Sequence, residues 1–213
     1  MKFESITMEN FMRYKGRNHI EFSCDDVKNV TVVLGDNTVG KTTIAQAFRW
    51  GLYGALMANG TKSAGDFQLL NTDILEMMDA NSRAKVKVEI AAVDEEKRYI
   101  ITRETTYTRA FPKLESREFQ KKCAMRITEL EDMESYVEVD SNEIETLINE
   151  LFPKNLSHYF LFDGERWNDV SVGGVRENIK ESVHILTGLS AYREAKNHLK
   201  DMGSNSAVSY THL

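Results

Sequence analysis

The chain has 213 residues, 41% of them hydrophobic and 28% charged, with a formal net charge of −6. That length holds one domain with a real core, or a core plus a small appendage, and the balance is that of a soluble globular protein. The acidic total argues against a segment that wraps nucleic acid by bulk electrostatics.

No apolar run is long enough to span a bilayer, and Met1-Lys2-Phe3-Glu4-Ser5 lacks the apolar core of a signal peptide. A cytoplasmic protein with no membrane partner is therefore expected. Cys24 and Cys123 have neither a pairing pattern nor metal-ligand spacing, so two reduced thiols are expected.

In chain order, Met1–Asn10 alternates as a strand, with Phe3, Ile6 and Met8 apolar among polar neighbours. A turn around Tyr14-Lys15-Gly16 leads to a second strand at His19–Phe22. Val30–Leu34 is β-branched and apolar, the pattern of a strand buried on both faces, and it runs straight into Gly35. From Lys41 the spacing is helical, with Ile44, Ala45, Phe48 and Leu52 on one face and Gly51 and Gly54 marking a fraying end.

Asn59–Asp66 is a small-residue loop. Arg83–Val93 and Arg98–Thr108 pair as alternating strands around the acidic turn Asp94-Glu95-Glu96, and Cys123–Leu130 with Tyr136–Val139 extends that sheet. Asp140 followed by Glu143 is a helix start. Ile144, Leu147, Ile148 and Leu151 form the apolar stripe, and Pro153 stops it. Leu156–Phe162 is another apolar strand, ending at Asp163-Gly164-Glu165. Beyond it 175–203 reads as a helix broken near Gly188, with Ser204–Leu213 a disordered tail or foreign scar. The densest basic stretch, Lys113, Arg117, Lys121, Lys122 and Arg126, reads as solvated side chains on exposed strands or loops.

Gly35-Asp36-Asn37-Thr38-Val39-Gly40-Lys41-Thr42 satisfies G-x-x-x-x-G-K-[ST] between a strand and a helix. Glycine torsions let the loop fold around an anion, so the N–H groups of Asn37, Thr38, Gly40, Lys41, Thr42 and Thr43 surround phosphates at the positive end of a helix. Lys41 reaches the β- and γ-phosphates, and the Thr42 hydroxyl ligates Mg²⁺. The expected cofactors are ATP and Mg²⁺. Hydrolysis also needs a carboxylate at the end of a neighbouring apolar strand. No run of four apolar residues is followed by Asp-Glu, so either Asp163 is that carboxylate or it lies outside this chain. Trp50, Trp167, His158 and His184 are expected to pack rather than bind, and Glu165 to cap a turn.

Asn10-Phe11 with Tyr14-Lys15-Gly16, then Gly35–Thr43, then Gly51-Leu52-Tyr53-Gly54 resembles the N-terminal lobe of SMC-like ATPases, including SbcC-type repair proteins. His158-Tyr159-Phe160-Leu161-Phe162-Asp163-Gly164-Glu165 looks most like DndD, the ATPase of DNA phosphorothioation systems, and related phage-defence ATPases. The resemblance covers about residues 1–200. It implies an α/β P-loop NTPase fold: the N-terminal lobe of an ABC-type head at 1–174, with an antiparallel β insertion, then at 175–203 the start of a coiled-coil helix. It implies that Asp163 takes the Q-loop position, coordinating Mg²⁺ and the attacking water. Arg13 and Lys15 then match basic residues near the base and α-phosphate. The implied partners are DNA, a second copy of the head, and further repair or modification subunits. Thr38 and Val39 depart from the family loop, which has Gly and a small residue there.

Two other readings remain open: a self-contained P-loop kinase or phosphotransferase, and a non-hydrolysing module that uses nucleotide to order an interface.

Overall fold

Six antiparallel strands form one sheet in the order β2-β1-β3-β4-β5-β6. They are β1 (Lys2–Phe11), β2 (Tyr14–Glu21), β3 (Arg83–Asp94), β4 (Lys97–Ala110), β5 (Glu115–Glu129) and β6 (Val137–Glu138), with helices α1 (Lys41–Tyr53), α2 (Thr72–Met77) and α3 (Ile144–Leu151). This computed structural model describes residues 1–36, 39–56, 68–94, 96–110, 115–132, 134–154, 157 and 161. They belong to the compact unit Met1–Phe162. The expected helix at 175–203, the tail at 204–213, Trp167 and His184 lie outside the described residues, as do Asn59–Asp66, His158, Asp163 and Glu165.

Alternation decides which face is buried. Ile6, Met8, Val86, Val88, Ile90, Ile101 and Met125 point to one face and are at most 1% exposed. The other face carries Lys85, Lys87, Glu89, Thr102 and Glu104, where Lys87 meets Glu89 at 2.8 Å and Lys85 meets Glu104 at 3.3 Å. One face packed and one solvated is the usual arrangement of an antiparallel sheet. Phe48 of α1 and Phe152 after α3 both meet Phe3 of β1, with ring centroids 4.8 and 5.1 Å away, so both helices cover the apolar face.

The expected antiparallel strands, β3–β4–β5, follow α1 in the chain and are continuous with the first strand. β3 pairs with β1 from Lys2↔Val93 to Glu9↔Lys87, so the first strand joins the hairpins into a single sheet. The β3–β4 hairpin matches its sequence reading almost residue for residue, while β2 begins earlier than expected and the turn is Met12–Arg13.

Four readings need correction. Val30–Leu34 forms no strand, and Val30, Val32 and Leu34 are 76%, 71% and 88% exposed. A strand buried on both faces needs neighbours on both edges, and no parallel strand is present among the described residues. Second, Ile44 and Ala45 are only half-buried; α1 instead buries Thr43, Gln46, Ala47, Phe48, Trp50, Gly51 and Leu52. Gly51 belongs to this packed face, while Gly54, at φ 64, ends the helix with its N–H on the Trp50 carbonyl. Third, of the expected strand Leu156–Phe162 only Ser157 and Leu161 are described, and the Leu161 N–H donates to the Ser157 carbonyl at 2.8 Å, an i to i+4 bond that a strand does not make. Short apolar runs do not distinguish helix from strand by pattern. Fourth, Glu143 makes no capping bond. Asp140 initiates the turn before α3 by accepting from the Asn142 N–H at 2.9 Å.

Helix α2 is too short to show a helical period in the sequence. Asn71 caps it, accepting from the N–H groups of Asp73 and Ile74. Trp50 packs as expected, 5% exposed and 5.6 Å from the Phe11 ring. Both cysteines are free thiols.

Candidate nucleotide-binding site

Gly40 is the N-cap of α1 in a left-handed conformation, φ 112 and ψ 16, which a side chain rarely adopts. A Cβ there would lie 3.4 Å from the Tyr14 ring. Gly35 is constrained less strictly: its Cβ would approach Cγ2 of the exposed Val39 side chain to 2.8 Å, so that side chain would have to move. The two glycines of the motif thus serve different needs: one for its torsion, the other for the room that Val39 takes.

Lys41 turns back over the loop. Its ammonium donates to the carbonyls of Gly35 and Asp36, the latter at 3.0 Å. These are neutral backbone acceptors, which phosphate oxygens can replace with a stronger, charge-assisted bond. The first turn of α1 has no side-chain cap and no acidic residue. Its N–H groups and the positive end of the helix dipole are therefore left for an anion. Thr42 is exposed at this end, whereas the Thr43 side chain is 7% exposed and packs inward, leaving only its backbone for a ligand. Asn37 and Thr38 lie outside the described residues.

The β1–β2 turn comes to the same place. The Tyr14 hydroxyl donates to the Gly40 carbonyl at 3.3 Å, and burial pushes its pKa up, so the phenol keeps its proton. Arg13, next to Tyr14, is exposed at the tip of that turn. Lys15 is exposed too and pairs with Asp73 at 3.6 Å. Among the described residues no cluster of three or more His, Cys, Asp or Glu could hold a metal ion, so Thr42 is the metal-ligand candidate that they contain. Asp163, the other, lies outside them. Sequence reasoning missed the Tyr14–Gly40 contact because no motif links residues 26 apart.

An open helix N-terminus, a lysine within the loop and two constrained glycines fit a triphosphate. A family model described as AAA domain matches residues 5–204. The chain belongs to the AAA-domain family. In this AAA domain, the P-loop NTPase reading of the sequence and the mixed α/β architecture agree with the family match. A solved structure from work on ATP-driven dimerization and DNA-stimulated activation of SMC ATPases aligns with a TM-score of 0.45 at 14% identity. The alignment covers 84% of this chain and 96% of that one. No curated protein sequence matches this AAA domain.

Proposed function

We propose that this AAA domain is the ATP-binding lobe of a DNA-acting ATPase of SMC-like type, in the SbcC or DndD branch. The observation that carries the reading is the uncapped N-terminus of α1 beside Lys41, a phosphate site with no competing side-chain acceptor. ATP binds there with Mg²⁺. Lys41 would hold the terminal phosphates, Thr42 the metal and Arg13 the nucleoside end, with Asp163 given a metal or water role by the resemblance. The metal would supply charge neutralisation at the phosphates.

A second lobe completes the site. The exposed apolar run Val30–Leu34 supports this, because it leads directly into the loop and lacks a strand partner among the described residues. In this reading that lobe supplies the neighbouring strands and the hydrolytic carboxylate. Two such heads then close on ATP, with DNA acting through the whole protein, as the resemblance to SMC-like ATPases implies.

Calorimetric titration with ATP·Mg²⁺, run beside a phosphate-release assay, tests the reading. The expected outcome is saturable binding with negligible turnover by this chain alone. Steady turnover that Lys41→Ala abolishes would instead mark a self-contained enzyme and overturn the two-lobe reading.

A further inference from the structure

Asn71 is 6% exposed, and all its polar groups are engaged. Its Oδ1 accepts from Asp73 N–H at 3.1 Å and Ile74 N–H at 3.3 Å, capping α2. Its Nδ2 donates to the Met12 carbonyl at 2.7 Å, across 59 residues of sequence. Its own N–H donates to the Asn10 carbonyl at 2.9 Å, and its carbonyl accepts from Leu75 N–H at 3.0 Å. Nearby, the Met12 N–H donates to the Leu69 carbonyl at 2.6 Å.

These bonds hold a backbone that would not otherwise stay. Asn10 and Met12 have φ 53 and 50, a region that non-glycine residues seldom occupy. Such conformations persist only where the surroundings over-determine them, and they gather at ligand clamps. Asn10 is further tied by its Nδ2 to the Lys85 carbonyl and by its Oδ1 to the Gly16 N–H, both at 3.0 Å. The strained segment leads to Tyr14, whose ring lies against Gly40.

We propose that Asn71 is a positioning residue for nucleotide binding: by donating to the Met12 carbonyl it holds the Met12–Arg13 turn against the P-loop. Arg13, exposed in the turn next to Tyr14, whose hydroxyl meets Gly40, thereby has its backbone fixed before the ligand arrives, so the ordering of this turn does not subtract from affinity. The inference rests on the reading of the P-loop as a triphosphate site and on Arg13 as its partner.

The two jobs of Asn71 separate chemically. Asn71→Asp keeps an acceptor for the α2 cap, where Asp serves as well as Asn, but has no donor for Met12. Asn71→Ser also caps and is too short to reach Met12. Titration with ATP·Mg²⁺ should show affinity lower by roughly five- to tenfold in each variant, the loss of about one hydrogen bond's effect. Far-UV circular dichroism should be unchanged. Arg13→Ala should lower affinity comparably, and Arg13→Ala combined with Asn71→Asp should be no worse than either alone. A general weakening of the fold would not give that non-additivity. Additive losses, or undiminished affinity in both Asn71 variants, would overturn the proposal. Wild-type protein that binds no ATP, or Lys41→Ala protein that binds it undiminished, would remove the triphosphate-site reading itself.

Discussion

Gly51 of α1 lies so close to Ile90 of β3 that a Cβ on the glycine would come within 2.7 Å of Ile90 Cδ1. Val88 Cγ1 would be 3.0 Å away, and both neighbours are fully buried. The helix that begins at the P-loop is therefore seated on the sheet through a glycine.

Gly51→Ala should destabilise the protein by about 1–3 kcal/mol, because an added methyl must displace stiff β-branched side chains in a packed core. Urea unfolding measures it. A gain in stability, as expected of Gly to Ala in an open helix, would show that α1 is not seated as described.

Arg103 ties the far end of the same helix. It donates to the carbonyls of Gly51 at 3.2 Å and Leu52 at 3.1 Å, and to Glu145 Oε1 of α3 at 2.8 Å. A cation there also favours the negative end of the helix dipole. Arg103→Ala should cost about 1.5–3 kcal/mol, as for hydrogen bonds to a charged group. Arg103→Lys should recover only part of it, since an ammonium lacks the planar fork. Equal stability of the Lys variant and wild type in thermal unfolding would count against the fork.

Lys41 is exposed, and its bonds go to two backbone carbonyls. Lys41→Ala should weaken ATP binding by more than about tenfold, given charge-assisted bonds to phosphate, and move stability by less than about 0.5 kcal/mol. Calorimetry and chemical unfolding on the same preparation separate the two effects. Intact binding would mean that the triphosphate sits elsewhere.

Thr42 is proposed to hold the metal, and the family resemblance gives Asp163 a metal or water role. Mg²⁺ should then tighten ATP binding, and Thr42→Ala and Asp163→Asn should each reduce that enhancement with little change in thermal stability. An Asp163→Asn variant with full Mg²⁺ enhancement but a lower melting temperature would make Asp163 a structural turn residue.

Cys123 adjoins Arg103 in the same packed region. Burial pushes its thiol pKa above the ordinary 9.0, while the charge of Arg103 partly offsets the rise. In a Cys24→Ser background, iodoacetamide should react slowly at pH 7.5 and faster as pH passes 9, because only the thiolate attacks. The pKa is higher in the folded state, so stability contributed by the protonated thiol is present at neutral pH and falls as the unfolded-state thiol ionises near 9. Modification at pH 7.5 as fast as in urea would contradict the burial.

Elements set by neighbours in sequence were legible from the sequence alone. The β3–β4 hairpin follows from alternation around Asp94-Glu95-Glu96, and the P-loop and start of α1 follow from the spacing of Gly35, Gly40, Lys41 and Thr42. In each, the residues that decide the conformation are a few positions apart, so local torsions and periodicity suffice. Only the tertiary structure decided the rest. Val30–Leu34 carries the pattern of a buried strand, yet burial depends on partners that its own residues cannot supply. The joining of β1 to β3, the seating of Gly51 on Ile90 and the bond from Asn71 to Met12 unite residues that no local pattern relates. Closing those long loops costs chain entropy that the packed sheet and its hydrogen bonds must offset together, so these contacts exist only once the whole unit has formed.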